Sequence, residues 1–366
     1  MLKTKNRIFY FDFLRCFAIL AVIACHVFAG IVLKKKIFGS TFWFYSLFLN
    51  SLRDIGVPLF VMISGALLLN RKDSLIKFVK KRMSRVVVPY VFWMLIFVIF
   101  LYVFANMGFY FGGKVSFIDA FFKIFTVSYP KGIPKVYWFV QMLIIVYALI
   151  FILNKINEVY PNILKIALII SLITIVLMNF GFINYGKPFN YPFFFVFAIL
   201  GYYLSKTDFT SKSLKINENK LTIVFLILSI ILYILQVSVI AKNSLDLNKF
   251  IQISQFSFLN IIIVSFVFLF ARYFSLSHGS IKKVYDKIKD SKVGDVINSI
   301  SITSFGIYLC HMIVFISLKV ALDSFEKQWG DPIFFNVLFI LTIIFSWGII
   351  LILNKIPYLN RISGVG

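Results

Sequence analysis

Acidic residues are scarce in this chain: 14 Asp and Glu stand against 38 Lys and Arg in 366 residues, and charged residues of both signs make up only 14%. A soluble domain draws on about 25% charged residues to cover its surface, so that class is excluded. Cysteine is nearly absent. Cys16, Cys25 and Cys310 all lie in apolar segments, without the paired spacing of a disulfide framework or a metal knuckle. Neither redox chemistry nor a bound metal is indicated. No polar stretch is long enough to form an appended soluble domain, and no internal repeat of fixed period is visible.

What is present is apolar. Hydrophobic residues reach 61%, with 46 Phe and 18 Tyr, a composition suited to a lipid-facing surface with aromatic belts at its interfaces. The net charge of +24 would point a soluble chain toward nucleic acid. Here the basic residues fall mainly between apolar runs, so the partner they imply is the lipid bilayer and not a nucleic acid. The first apolar run is too long for a signal-peptide core and lacks a small-residue cleavage site, which makes it the first span.

Apolar runs of about 20 residues place spans near 8–33, 43–69, 87–106, 136–153, 163–183, 189–204, 220–240, 251–274, 297–320 and 333–354. The expected fold is all-α, a polytopic membrane bundle of about ten transmembrane helices forming one domain over residues 1–366. Lys3, Lys5 and Arg7, the connection 71–85, and Arg272, Lys282, Lys283, Lys287, Lys289 and Lys292 all fall on one side. With these spans that side holds about 24 basic residues against about 12 opposite, so both termini are expected in the cytoplasm. Lys34, Lys35 and Lys36 are the main exception, and the longest outer loop is expected over 107–135, broken by Gly112, Gly113, Pro130 and Pro134.

Ionisable residues inside a bilayer are costly and mark functional positions. Arg15 and His26 share the first span. Eleven residues bring an α-helix back to within about 20° of its starting direction and about 16 Å further along its axis, so the two face one cavity at different depths. Asp12, three positions before Arg15, can pair with it and offset the cost of burial; the alternative for Asp12 is a purely structural ion pair. His26, neutral near working pH, suits a general base, and its bland alternative is a hydrogen bond across a helix interface. Arg53 and Asp54 are ionisable residues at membrane depth or at its outer edge, Pro58 is placed to kink the second span, and Ser64-Gly65 form a point of close helix approach. Arg82 and Arg85 before the third span fit either positive-inside topology or a phosphate clamp. Trp138-Phe139 reads as an interfacial anchor. Late in the chain His311 lies mid-span with Ser304 and Tyr308 on nearby turns, a polar stripe that could line a pathway, whereas His278 is expected in a solvated loop.

Together these residues resemble the integral-membrane acyltransferase 3 family. Its first-helix pattern is similar to Asp12, Arg15 and His26, its second-helix signature to Pro58-Leu-Phe-Val-Met-Ile-Ser-Gly65, and its Arg-x-x-Arg to Arg82 and Arg85. Its Trp-Phe and terminal Gly-Ile-Tyr-Leu-x-His are matched by Trp138-Phe139 and Gly306-Ile-Tyr-Leu-Cys-His311. The chain departs at Phe13 and Cys16, where many members have small residues, and at Val136, where some carry histidine.

The resemblance implies transfer of an acyl group, usually acetyl, from cytoplasmic acyl-CoA to a hydroxyl of a cell-envelope carbohydrate. Acetyl-CoA is the donor and no metal takes part. His26 is implied as base or acyl carrier beside Arg15 and Asp12. Arg82 and Arg85 would hold the donor phosphates, and Ser64, Trp138 and His311 would line the substrate path. A separate extracytoplasmic partner would be needed for any second transfer step. The alternatives are a transporter or flippase for an envelope glycan or lipid-linked sugar, which would consume no donor, and a sensory or scaffold protein.

Overall fold

The computed structural model describes residues 7–109, 116–118, 121, 137–180, 182, 191–213, 216–247 and 255–365. Lys3, Lys5, Val136 and most of the outer loop expected over 107–135, with its breakers Gly112, Gly113, Pro130 and Pro134, lie outside the described residues. Within them the fold is all-α, and the only pairing of extended chain is an isolated bridge between Ser211 and Ile216.

The helices are α1 Phe9–Val32, α2 Thr41–Ser51, α3 Arg53–Leu68, α4 Leu75–Arg82, α5 Val88–Asn106, α6 Trp138–Val159, α7 Ile163–Asn179, α8 Phe195–Lys206, α9 Glu218–Asp246, α10 Phe258–Leu276, α11 Gly279–Lys289, α12 Lys292–Ala321 and α13 Asp323–Lys355. Among the described residues eight segments are long and apolar enough to cross a membrane. Among the described residues the expected fifth and sixth spans appear as the shorter apolar helices α7 and α8, so the count of about ten is not confirmed. The chain divides into two compact units, one of Met1–Asp73 with Leu143–Ser301 and one of Ser74–Met142 with Ile302–Gly366.

In the first unit α1 packs against α2 and α3, and α3 against α8. Small residues permit this. A Cβ on Gly56 would stand 2.8 Å from the Ala18 carbonyl oxygen, one on Gly65 1.9 Å from that of Ala198, and one on Gly201 2.0 Å from that of Met62. The α3–α8 crossing is therefore a reciprocal backbone contact through two glycines, the geometry small residues allow between membrane helices. Trp43 donates its indole N–H to the Val32 carbonyl at 3.2 Å, satisfying one acceptor at the end of α1. Pro58 sits inside α3 and cannot supply the N–H that would close on Asp54 four residues earlier. The Asn260 amide donates to that Asp54 carbonyl at 2.8 Å instead.

In the second unit Pro89 likewise lacks an N–H for Arg85, and the chain enters α5 through a π-helical turn, Met83–Val87. Gly330, at φ +73°, breaks α13 just before Pro332, so its long apolar part begins where the last span was expected. Gly306 accepts the C-terminal segment: a Cβ there would lie 2.2 Å from the Ser363 carbonyl oxygen.

Two elements replace expected connections. The basic stretches 71–85 and 272–296 each contain a short helix, α4 and α11. Helical spacing of a few apolar residues explains both: Phe78 is the buried side chain of α4, and Tyr285 anchors α11 by edge-on contacts with Phe9 and Phe274, at 5.6 and 5.2 Å between ring centroids.

Candidate functional site

Asp12 is 1% exposed in the first turn of α1, where the helix dipole favours an anion. A buried carboxylate needs partners, and Asp12 has three. Arg7, just before the helix, donates to both carboxylate oxygens, through Nε to Oδ2 at 3.1 Å and through its terminal nitrogen to Oδ1. Ser301 of α12 donates to Oδ1 at 2.7 Å and accepts from Arg7 at 3.1 Å. Arg15 reaches the same Oδ1 only at 3.5 Å. The expected Asp12–Arg15 pair exists, but Arg7 is the principal counterion. Tyr285 closes this end, outside the spans. Burial first, then the Asp286 and Asp12 carboxylates, pushes its phenol up to about 12.

Sequence reasoning passed over Arg7 and Ser301. Arg7 looked like one more positive-inside residue, and five residues are not a helical spacing; the contact forms because the chain before α1 is extended at Ile8. Ser301 lies 289 positions from Asp12, a pairing only the fold can make.

The half-buried side chains of α1 fall on two faces. Tyr10, Phe13, Phe17 and Leu20 form one, and Arg15 and His26 belong to the other. At 100° per residue the first four lie within about 80° of one another, while Arg15 and His26, about 20° apart, point the opposite way. The residues between the two faces are buried except near the end of the helix, where Gly30 is exposed. An apolar face and a polar face thus leave the same helix on opposite sides, and both ionisable side chains stay partly accessible on the polar one.

A second polar cluster sits at the depth of His26. Asn50 donates to the Cys25 carbonyl at 3.1 Å, and Arg53 contacts the Cys25 sulfur at 3.7 Å. Arg53 pairs with the buried Asp54 at 3.4 Å, and Gln236 donates to Asn260 at 3.5 Å. The α2–α3 junction therefore grips α1 one residue before His26. Ser64, by contrast, returns its hydroxyl to the Phe60 carbonyl of its own helix at 2.9 Å.

In the second unit Arg82 is half-buried with its guanidinium 5.9 Å from the Phe78 ring centre, while Arg85, beyond the start of the π turn, is exposed. The two guanidiniums thus differ in environment. Trp138 is half-buried beside Phe139, which stacks edge-on against Tyr308 at 5.1 Å. The Tyr137 hydroxyl lies 3.2 Å from the Trp93 carbonyl and 3.0 Å from that of Leu309. His311 is fully buried, with Nδ1 2.6 Å from the Tyr308 carbonyl. A carbonyl only accepts, so Nδ1 carries a proton and donates it to Tyr308. His278 is exposed at the start of α11, 3.5 Å from Glu218. Among the described residues no group of three or more His, Cys, Asp or Glu could hold a metal ion.

A family model described as an acyltransferase domain, Acyl_transf_3, matches residues 8–351. No curated protein and no solved structure matches the chain.

Proposed function

The chain belongs to the acyltransferase family, Acyl_transf_3, and is a multi-pass membrane acyltransferase; from that premise we propose that it moves an acetyl group from cytoplasmic acetyl-CoA to a hydroxyl of a cell-envelope carbohydrate. The observation that carries the proposal is the shared, partly open face of α1 that bears Arg15 and His26. Arg15 offers a guanidinium to a donor phosphate. His26, about three turns further along, takes the proton of the acceptor hydroxyl as its oxygen attacks the thioester carbonyl. The tetrahedral adduct collapses, the C–S bond breaks, and the thiolate of coenzyme A leaves with the proton returned from the imidazolium. Arg82 and Arg85 contribute to donor binding, and Trp138 and His311 to the acceptor's path. The basic-residue bias supports an orientation in the cytoplasmic membrane with Arg15 on the cytoplasmic side of His26.

The test is transfer of labelled acetyl from acetyl-CoA by the purified protein in lipid nanodiscs, with acceptor polysaccharide supplied. His26→Gln is expected to lower the rate about 10²–10⁴-fold, the contribution of a positioned general base, with little change in the KM for acetyl-CoA. A folded His26→Gln protein that transfers at the wild-type rate removes His26 from the chemistry. A protein that moves glycan across the membrane while releasing no coenzyme A is a transporter.

A further inference from the structure

Asp12 has one carboxylate and two arginines within reach, and the division of its bonds between them is unequal. Arg7 holds both oxygens, Ser301 reinforces Oδ1 at 2.7 Å, and Arg15 reaches Oδ1 at 3.5 Å, an ion pair at the outer limit of a hydrogen bond. Arg7 and Arg15 keep comparable exposure, 24% and 27% of their side chains, so accessibility does not decide which of them Asp12 takes. Geometry does. Arg7 approaches from the extended chain before α1 and presents Nε and a terminal nitrogen side by side, the forked arrangement that suits a carboxylate. Arg15, three residues along the same helix, can offer a single nitrogen.

We infer that Arg7 is a positioning residue whose task is to satisfy Asp12 so that the Arg15 guanidinium stays available to an anionic group of the donor. This deepens the proposed function and rests on it for the identity of the anion, a phosphate of coenzyme A. Without Arg7, Asp12 would remain 1% exposed with Arg15 as its one remaining cation among these groups. A buried charge left unpaired is strongly unfavourable, so Arg15 turns inward to Asp12 and is lost to the donor. Ser301 tightens the arrangement by holding Asp12 and Arg7 together from α12, which keeps the carboxylate facing Arg7.

The inference separates from a merely structural role because it predicts rescue by a second loss. In Arg7→Ala, binding of coenzyme A is expected to weaken about tenfold, equivalent to roughly 1.4 kcal/mol. In the double variant Arg7→Ala with Asp12→Asn, the group that captures Arg15 no longer carries charge, and affinity returns to within about twofold of wild type. Arg7→Lys, which retains a cation beside Asp12, should lie between. Two readouts are taken on the same nanodisc samples: equilibrium binding of coenzyme A, and modification of Arg15 by an arginine-specific dicarbonyl reagent, read by mass spectrometry.

Arg15 modification should fall in Arg7→Ala and recover in the double variant, whatever the donor is. If that pattern appears while coenzyme A binds none of the proteins, the exchange of partners stands and the donor assignment is wrong. If Arg15 modification is unchanged in Arg7→Ala, or does not recover in the double variant, the inference is overturned even where coenzyme A binds normally.

Discussion

At the scale of single residues, a missing donor and a supplied one meet at Asp54. Pro58 removes the N–H that would bond the Asp54 carbonyl, and Asn260 from α10 provides another at 2.8 Å while also reaching the Gln255 carbonyl at 3.0 Å. The contact to Asp54 is buried, where water cannot substitute, and that to Gln255 is part-buried. Asn260→Ala should therefore destabilise the protein by about 1–3 kcal/mol, the cost of stranding a buried polar group. Pro58→Ala returns an N–H to α3, so the double variant should be less destabilised than Asn260→Ala alone. Thermal unfolding of the four proteins in one detergent measures the coupling, and simple additivity would show that the two donors do not serve the same carbonyl. Pro58, Asp12 and His26 were visible in the sequence because each is out of character in an apolar run. Asn260 and Ser301 were not, since a polar residue near a span end is ordinary until a partner from another helix is placed beside it. Arg7 was hidden for a different reason: its charge had a sufficient explanation in membrane topology.

At the scale of elements, close approach and open space distinguish otherwise similar glycines. Gly65 and Gly201 lie where α3 and α8 touch backbone to backbone, whereas a Cβ on Gly348 in α13 would meet nothing within 4 Å. Gly65→Ala is expected to force the helices apart, with loss of folded yield and a lowered melting temperature. Gly348→Ala should be neutral or stabilising by up to about 1 kcal/mol, because alanine has the higher helix propensity. Equal tolerance of the two changes, measured by gel-filtration yield and thermal unfolding, would contradict the crossing. The sequence marked Ser64-Gly65 as a point of close approach because small residues are what such contacts need. It could not name α8 as the partner, since sequence pattern carries no register between helices. It also missed α4 and α11, where lysines dominate the composition and only a few apolar residues, Phe78 and Tyr285 among them, carry the helical period.

At the scale of the whole molecule the open quantity is how often the chain crosses the bilayer. The helix α7 has 17 residues, about 25 Å at 1.5 Å per residue, against a hydrocarbon core of about 30 Å. The helix α8 has 12 residues and is preceded by a 3-10 turn, Tyr191–Phe194. If both insert, or neither does, the chain between α10 and α12 faces the side opposite to the turn between α1 and α2; if only one inserts, the two face the same side. Charge favours the first arrangement, because Lys282, Lys283, Lys287 and Lys289 on α11 belong in the cytoplasm by the positive-inside rule. Cysteine labelling decides between them cleanly, since Cys16, Cys25 and Cys310 are 7%, 3% and 1% exposed. Lys35→Cys and Lys287→Cys replace exposed residues. An impermeant thiol reagent should modify Lys35→Cys in intact cells and Lys287→Cys only after the membrane is opened. Labelling of both from outside would mean that a single one of α7 and α8 crosses. That outcome would also contradict the packing of Tyr285 on Phe9, which places α11 at the Asp12–Arg7 end of α1, the end opposite to Lys35.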